Sequence, residues 1–111
     1  MRLIEPSEKQ FQDAVVDFAR INGWDRIFHA PRGGTGGRVH ANYPESSGFP
    51  DLVMVRGHRL VMIELKARKG RLSEKQKGWL DALRVVPAVE VHVFRPDDWL
   101  DIQSLLGRAV L

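Results

Sequence analysis

Asp51, Glu64 and Lys66 stand at the ends of two apolar runs that meet at Gly57-His58. An aspartate, a glutamate and a lysine at one end of a strand pair could hold a cation and offset developing negative charge. Gly57-His58 predicts a two-residue hairpin turn. That turn sets Arg56 opposite Arg59, Val55 opposite Leu60, Met54 opposite Val61, Val53 opposite Met62 and Leu52 opposite Ile63. Asp51 then falls opposite Glu64, and opposed side chains share a face with Cβ atoms roughly 5 Å apart. Lys66 follows Glu64 by one full alternation and points to the same side. Opposed carboxylates repel. A hard divalent ion such as Mg²⁺ relieves the repulsion, because it takes carboxylate oxygens and keeps several waters. Such an ion with a lysine beside it is equipped to hydrolyse a phosphodiester. The inference depends on register, since a three-residue loop would turn Asp51 to the other face. The competing reading is a surface ion pair between Asp51 and Lys66 with no chemistry attached.

The elements around this hairpin follow from periodicity. Residues 7 to 22 predict a helix: Ser7-x-x-Gln10 has capping-box form, Phe11, Ala14, Val15, Phe18 and Ala19 form an apolar stripe, and Asn22-Gly23 ends it. Arg26 to Ala30 is a short strand candidate. Residues 31–50 predict a flexible Gly-rich loop containing Gly33, Gly34, Gly36 and Gly37. Strands are expected over 51–57 and 60–66, and their Val, Leu, Ile and Met content suggests burial on both faces. Ala67 to Leu72 is a basic connection. Ser73, again with a glutamine three residues on, caps a second helix over about 74 to 84 whose apolar face carries Trp79, Leu80 and Leu83. Ala88 to Phe94 predicts a fourth strand. Pro96-Asp97 starts a last helix carrying Trp99, Leu100, Ile102, Leu105 and Leu106. The order α-β-β-β-α-β-α predicts an α/β sandwich with a mixed central sheet, in which the strand after the second helix returns parallel.

Bulk properties set the bounds. The 111 residues suit a single domain, 1–111, with a modest core supplied by 43% hydrophobic residues. No apolar run approaches the roughly 20 residues of a membrane span. Arg2, Glu5, Glu8 and Lys9 leave no signal-peptide pattern, so a cytoplasmic protein is expected. The absence of cysteine excludes disulfides and thiolate metal sites. No His or Cys cluster has zinc spacing, and the Gly-rich stretch from Arg32 to Arg38 lacks the Gly-Lys-Ser/Thr ending of a phosphate-binding loop. The net charge of +3 is a mild basic bias. Its placement says more: Arg68, Lys69, Arg71 and Lys75 follow the charged strand ends, and Arg32, Arg38 and His40 precede them. A basic collar around an acidic pocket suits a polyanionic partner. Taken singly, each of these cations also suits ordinary solvated surface.

Pro50-Asp51 followed by Glu64-Leu65-Lys66 resembles the PD-(D/E)XK nuclease motif. With Gly48-Phe49 before it, Leu72-Ser73-Glu74-Lys75-Gln76-Lys77-Gly78-Trp79-Leu80 after it, and the opening Ser7-Glu8-Lys9-Gln10-Phe11-Gln12 with Asn22-Gly23-Trp24, the chain resembles the VRR-NUC family of virus-type replication-repair nucleases. The resemblance covers nearly the whole chain and is closest to small stand-alone phage-type members. It implies a restriction-endonuclease-like three-layer sandwich and a nuclease using Mg²⁺ or Mn²⁺. It implies that Asp51, Glu64 and the backbone carbonyl of Leu65 hold the metal, and that Lys66 sits by the attacking water or scissile phosphate. Glu8 resembles the family's acidic residue on the first helix, reaching the metal through water, and Gln76 resembles its glutamine on the helix after the core strands. The resemblance further implies a homodimer that cuts branched DNA such as Holliday junctions during replication, repair or recombination, leaves 5′-phosphates, and works in a bacterial or phage-infected cell without a small-molecule cofactor. The glycine-laden stretch before the motif is longer than the usual linker.

Plain alternatives stand beside these roles. A glutamate in a first helical turn, as at position 8, is favoured by the helix dipole alone. Gln76 has a sufficient reason as the capping partner of Ser73, although an amide carries both donors and an acceptor. His29 suits a structural contact better than a ligand. The three tryptophans suit packing better than base stacking. A non-catalytic nucleic-acid-binding module and a partner-recruiting subunit are the rival classes for the whole chain.

Overall fold

A computed structural model describes residues 5–31 and 43–108 of the chain. Seven regular elements follow in order: α1 (Glu8–Ile21), β1 (Arg26–His29), β2 (Leu52–Arg56), β3 (Arg59–Leu65), α2 (Glu74–Arg84), β4 (Val89–Phe94) and α3 (Trp99–Leu106). The sheet order is β1-β2-β3-β4. β1, β2 and β3 pair antiparallel, and β4 returns parallel to β3. The expected hairpin register holds at every position from Leu52↔Ile63 to Arg56↔Arg59. Gly57 has φ +60° and His58 does not enter the left-handed region, the pattern of a turn with glycine first. Its backbone twist matches that of the flanking strands, which is why this dipeptide fixes the register.

Both long helices begin where the sequence predicts. Ser7 and Ser73 each accept a hydrogen bond on the side chain from the backbone amide three residues on, and the side chains of Gln10 and Gln76 accept one from the serine amide. Each box satisfies two of the amides that a helix start leaves without partners. α1 buries Phe11, Val15, Val16 and Ala19. Ala14, expected in the apolar stripe, is exposed and Val16 takes its place. The contact line centres on 11, 15 and 19, a 3.6-residue repeat that leaves 14 at its margin.

One face of the sheet carries Leu52, Met54, Val61, Ile63, Leu65 and Phe94, and packs against α1 and α3 with Trp24, Ile102 and Leu106 in a single core. Each such side chain contributes about 1.5–3 kcal/mol by leaving water. The other face presents the cross-strand row Phe28–Val53–Met62–Val91 and the row Val55–Leu60–Val89. α2 covers this face over β4, burying Leu80. The resulting layers are α1 and α3, the sheet, and α2. The expectation that the hairpin strands are buried on both faces fails at Val55, which is 36% exposed, and Phe28 of β1 beside it is 56% exposed. A single eleven-residue helix cannot span four strands. Leu100 is also exposed, because it lies about 200° around α3 from Ile102, which faces the core.

Within the expected loop over 31–50, residues 32–42 lie outside the described residues, and with them Arg32, Arg38, His40 and the four glycines between. Tyr43, Pro44 and Glu45 are exposed, residues 46–49 are half-buried and Pro50 is buried. Pro44–Ser46 forms a short 3₁₀ turn, Trp79 of α2 donates its indole N–H to the Glu45 carbonyl at 3.2 Å, and Phe49 meets the Trp79 ring edge-on at 5.0 Å.

The hairpin end of the sheet is closed by a clamp. Arg56 donates to the carbonyls of Asn22 and Leu106, and Arg59 donates to that of Leu105. Trp24 donates its indole N–H to Leu106 at 2.8 Å, with both guanidiniums against its ring. These bonds satisfy the last carbonyls of α3, which have no helical partner. Arg59 also forms a two-pronged pair with Glu90, at 2.6 and 2.8 Å.

Candidate active site

The site lies at the opposite end of the sheet from this clamp. β2 pairs with β3 from Leu52 onward, so Asp51 sits one residue before the ladder. Its main-chain carbonyl accepts the Ala30 amide at 2.8 Å, which ties it to the end of β1. Its side chain turns to β3, where Oδ2 accepts the Leu65 amide at 2.8 Å. Asp51 is 9% exposed and Glu64 2%. Leu65 therefore links the carboxylates: its amide binds Asp51, and Glu64 directly precedes it.

Burying two acids is costly unless hydrogen bonds replace water. The Leu65 amide serves Asp51, and the Gln76 side chain serves Glu64, donating Nε2–H to Oε2 at 3.0 Å. The same Gln76 accepts the Ser73 amide on Oε1 at 2.8 Å. Capping and the contact to Glu64 coexist in this residue, as the donor and acceptor ends of its amide allow. Gln76 reaches Glu64 because the chain before Asp51 lies against the first turn of α2. Gly48 has φ +90°, and a Cβ built there would lie 2.6 Å from the Lys75 carbonyl carbon and 2.8 Å from the Gln76 nitrogen. Only glycine allows both the conformation and the approach. The part played by Gly48 is not evident from the sequence beyond its place two residues before Pro50-Asp51.

Lys66 is half-buried and its amide continues the ladder to the Phe94 carbonyl at 3.0 Å. Alternation then assigns it to the Glu64 side of β3.

Glu8 is half-buried in the first turn of α1. One turn further, Gln12 Nε2 lies 3.3 Å from His29 Nδ1, so this flank of α1 meets the same end of β1 that holds Asp51. Among the described residues no three His, Cys, Asp or Glu side chains gather as a metal-holding group. His29 is exposed and held by Gln12, and His58 is exposed in the turn.

Lys69, Arg71 and Lys75 are exposed around the site, as expected of solvated cations. Arg68 is exposed but engaged, its Nε 3.1 Å from Asp97 Oδ2. Trp24 is buried, Trp79 packs on Phe49 and Trp99 packs edge-on against Phe18 at 5.6 Å, so each described tryptophan is a packing residue. A groove between α1 and the corner before α3, about 460 Å³, is lined by Phe11, Ala14, Pro96 and Trp99 with Arg68 and Asp97 at its rim.

The donor set fits a hard divalent ion. Asp51 and Glu64 offer carboxylate oxygens from neighbouring strand ends, the chain has no cysteine to offer a thiolate, and Mg²⁺ or Mn²⁺ is served by few protein oxygens plus water.

A mixed sheet between helical layers, with two buried acids at adjoining strand ends and a lysine on the next in-facing position, defines an α/β fold of the restriction-endonuclease kind. The VRR-NUC domain family model matches residues 6–95, and the chain belongs to that family, within the PD-(D/E)XK nuclease superfamily. A solved structure described as a VRR_NUC domain protein superposes with a TM-score of 0.64 at 20% identity, covering 95% of this chain and 93% of that one. No curated protein matches the sequence. No helix among the described residues is long and apolar enough to cross a membrane.

Proposed function

We propose that this protein is a metal-dependent DNA endonuclease, with Asp51 and Glu64 as its acids, Lys66 as its cation and Gln76 as the residue that orients Glu64. The observation carrying this reading is the pair of buried carboxylates at adjoining strand ends, each held by a neutral N–H donor. Such hydrogen bonds fix the direction of each acid, which is what a cation ligand requires. Asp51, Glu64 and the Leu65 carbonyl would hold Mg²⁺ or Mn²⁺, which supplies an acidified water and charge neutralisation when bound. Glu8 acts at a distance, through water.

The chain's own groups then divide the work. Lys66 places its ammonium beside the phosphoryl oxygens and offsets the charge that builds as water adds to phosphorus. The bond from phosphorus to the 3′ oxygen breaks, the departing oxygen ends protonated, and the products carry a 5′-phosphate and a 3′-hydroxyl. Lys69, Arg71 and Lys75, with Arg68 once it leaves Asp97, meet the DNA backbone, joined by Arg32, Arg38 and His40. Branched DNA needs paired cuts, which two copies related by a two-fold axis deliver. The two apolar rows that expose Phe28 and Val55 on the open sheet face support such pairing.

Purified protein is incubated with a four-way junction, a splayed duplex and plain duplex, in Mg²⁺, Mn²⁺ or EDTA. Cleavage of the branched substrates with metal, none with EDTA, and a loss of at least about 100-fold in Lys66→Ala with folding and DNA binding retained are the expected results. Salt-sensitive DNA binding without turnover in any metal would make the chain a binding module instead.

A further inference from the structure

The basic turn after Lys66 is held from outside by a residue that the proposed chemistry does not use. Arg95, one residue beyond β4, donates through Nη1 to the Ala67 carbonyl at 2.8 Å and to the Gly70 carbonyl at 2.6 Å. One guanidinium nitrogen has two hydrogens, so it serves both acceptors at once. Across the same turn the Gly70 amide donates to Ala67 at 3.0 Å. Arg95 is itself fixed, because its backbone amide donates to Asp98 Oδ2 at 2.7 Å. A further tie runs from Arg68 to Asp97 in the same corner. The corner at 95–98 thus brackets the turn at 67–70 by three side-chain contacts.

The turn in turn shapes the path of Lys66. A Cβ built on Gly70 would lie 3.4 Å from Lys66 Cδ, so the lysine stem runs along the closed turn. An unbranched four-carbon stem has many rotamers, and fixing it costs about 2 kcal/mol of side-chain entropy. A rigid turn meets much of that cost in the folded ground state. Charge-assisted bonds to carbonyls are stronger than neutral ones, which suits Arg95 to this duty better than a neutral side chain.

We propose that Arg95 is a positioning residue for Lys66, acting through the 67–70 turn. The inference rests on the nuclease reading above. The turn's cations keep their reach to the DNA backbone through long stems when the turn loosens, whereas the lysine ammonium loses its place. The loss therefore falls in kcat and not in KM.

Arg95→Met and Arg95→Lys are compared with the parent in Mg²⁺ on a four-way junction, with thermal melts as the folding control. Expected is a fall in kcat of about 10- to 100-fold for Arg95→Met at near-parental KM, partial rescue in Arg95→Lys, and no added loss from Arg95→Met in a Lys66→Ala background. If Arg95→Met does not fold, Arg95→Lys alone decides the case by the same split. A folded Arg95 variant with parental kcat, or one losing only KM, overturns the inference. In either case an inactive Lys66→Ala leaves the nuclease reading standing, whereas a fully active Lys66→Ala removes the role of Lys66 and that of Arg95 with it.

Discussion

Gln76 donates its side-chain amide to Glu64 across 3.0 Å while its carbonyl oxygen accepts the Ser73 amide at 2.8 Å. One residue thereby starts α2 and fixes the direction of a buried acid on β3. The two duties can be separated. Gln76→Glu keeps the capping acceptor but sets a second negative charge against Glu64. It is expected to melt within about 1 kcal/mol of the parent and to lose cleavage by at least about 100-fold. Ser73→Ala weakens the cap by about 1 kcal/mol and spares most of the cleavage. Thermal melts and junction cleavage rates read both, and equal loss of cleavage in the two variants would tie the effect to the helix start alone.

Gly48→Ala meets two obstacles, a φ of +90° and a Cβ 2.6 Å from the Lys75 carbonyl carbon. It is expected to destabilise by about 2–4 kcal/mol. Because the displaced strand carries Asp51 and the displaced helix carries Gln76, cleavage should fall further than in a core variant of equal stability cost, such as Ile102→Val. Urea melts and rates on the two proteins make the comparison.

Asp51→Asn preserves an acceptor for the Leu65 amide and Glu64→Gln one for Gln76, so both should fold. Each removes a charged oxygen donor. Mg²⁺ at about 100 times its dissociation constant stabilises a one-site protein by about 2.7 kcal/mol. The parent is expected to show this rise in melting temperature, reversed by EDTA, and both variants to lose it. An equal rise in Asp51→Asn would place the ion elsewhere.

The Arg59–Glu90 pair sits far from the site and is expected to contribute to the acid limb of stability. The hydrogen bonds from Arg59 hold Glu90 below its ordinary value of 4.5, against the opposing effect of burial. A depressed carboxylate contributes stability above its unfolded value and loses it as pH falls through the folded one. The pair is about one-third exposed, so its worth is at most about 1 kcal/mol. Burial lowers His92, partly offset by Glu90, which adds a further loss as pH drops below 6.5. Glu90→Gln is expected to flatten the fall in melting temperature below pH 4.5 and to leave cleavage at neutral pH unchanged. A parent and variant with parallel acid limbs would refute the role of the pair.

Local rules carried much of the architecture. The glycine-first dipeptide at 57–58 set the hairpin register, the register set Asp51 near Glu64, and two Ser-x-x-Gln boxes marked the starts of α1 and α2. These features depend on neighbours within a few residues, and side-chain periodicity records them. Exposure of Phe28 and Val55 was not legible, because an apolar strand reads alike whether a helix covers it or not.

The sequence by itself determined which residues alternate onto the acid-bearing face and where each helix begins, since backbone geometry and capping chemistry act over short spans. Long-range packing determined the rest: Gly48 seated on α2, Gln76 delivered to Glu64, Arg95 bracketing the turn after Lys66, and Trp24 with two arginines sealing α3. Each of these joins residues distant in the chain, and such a contact exists only once the sheet has brought its neighbours together.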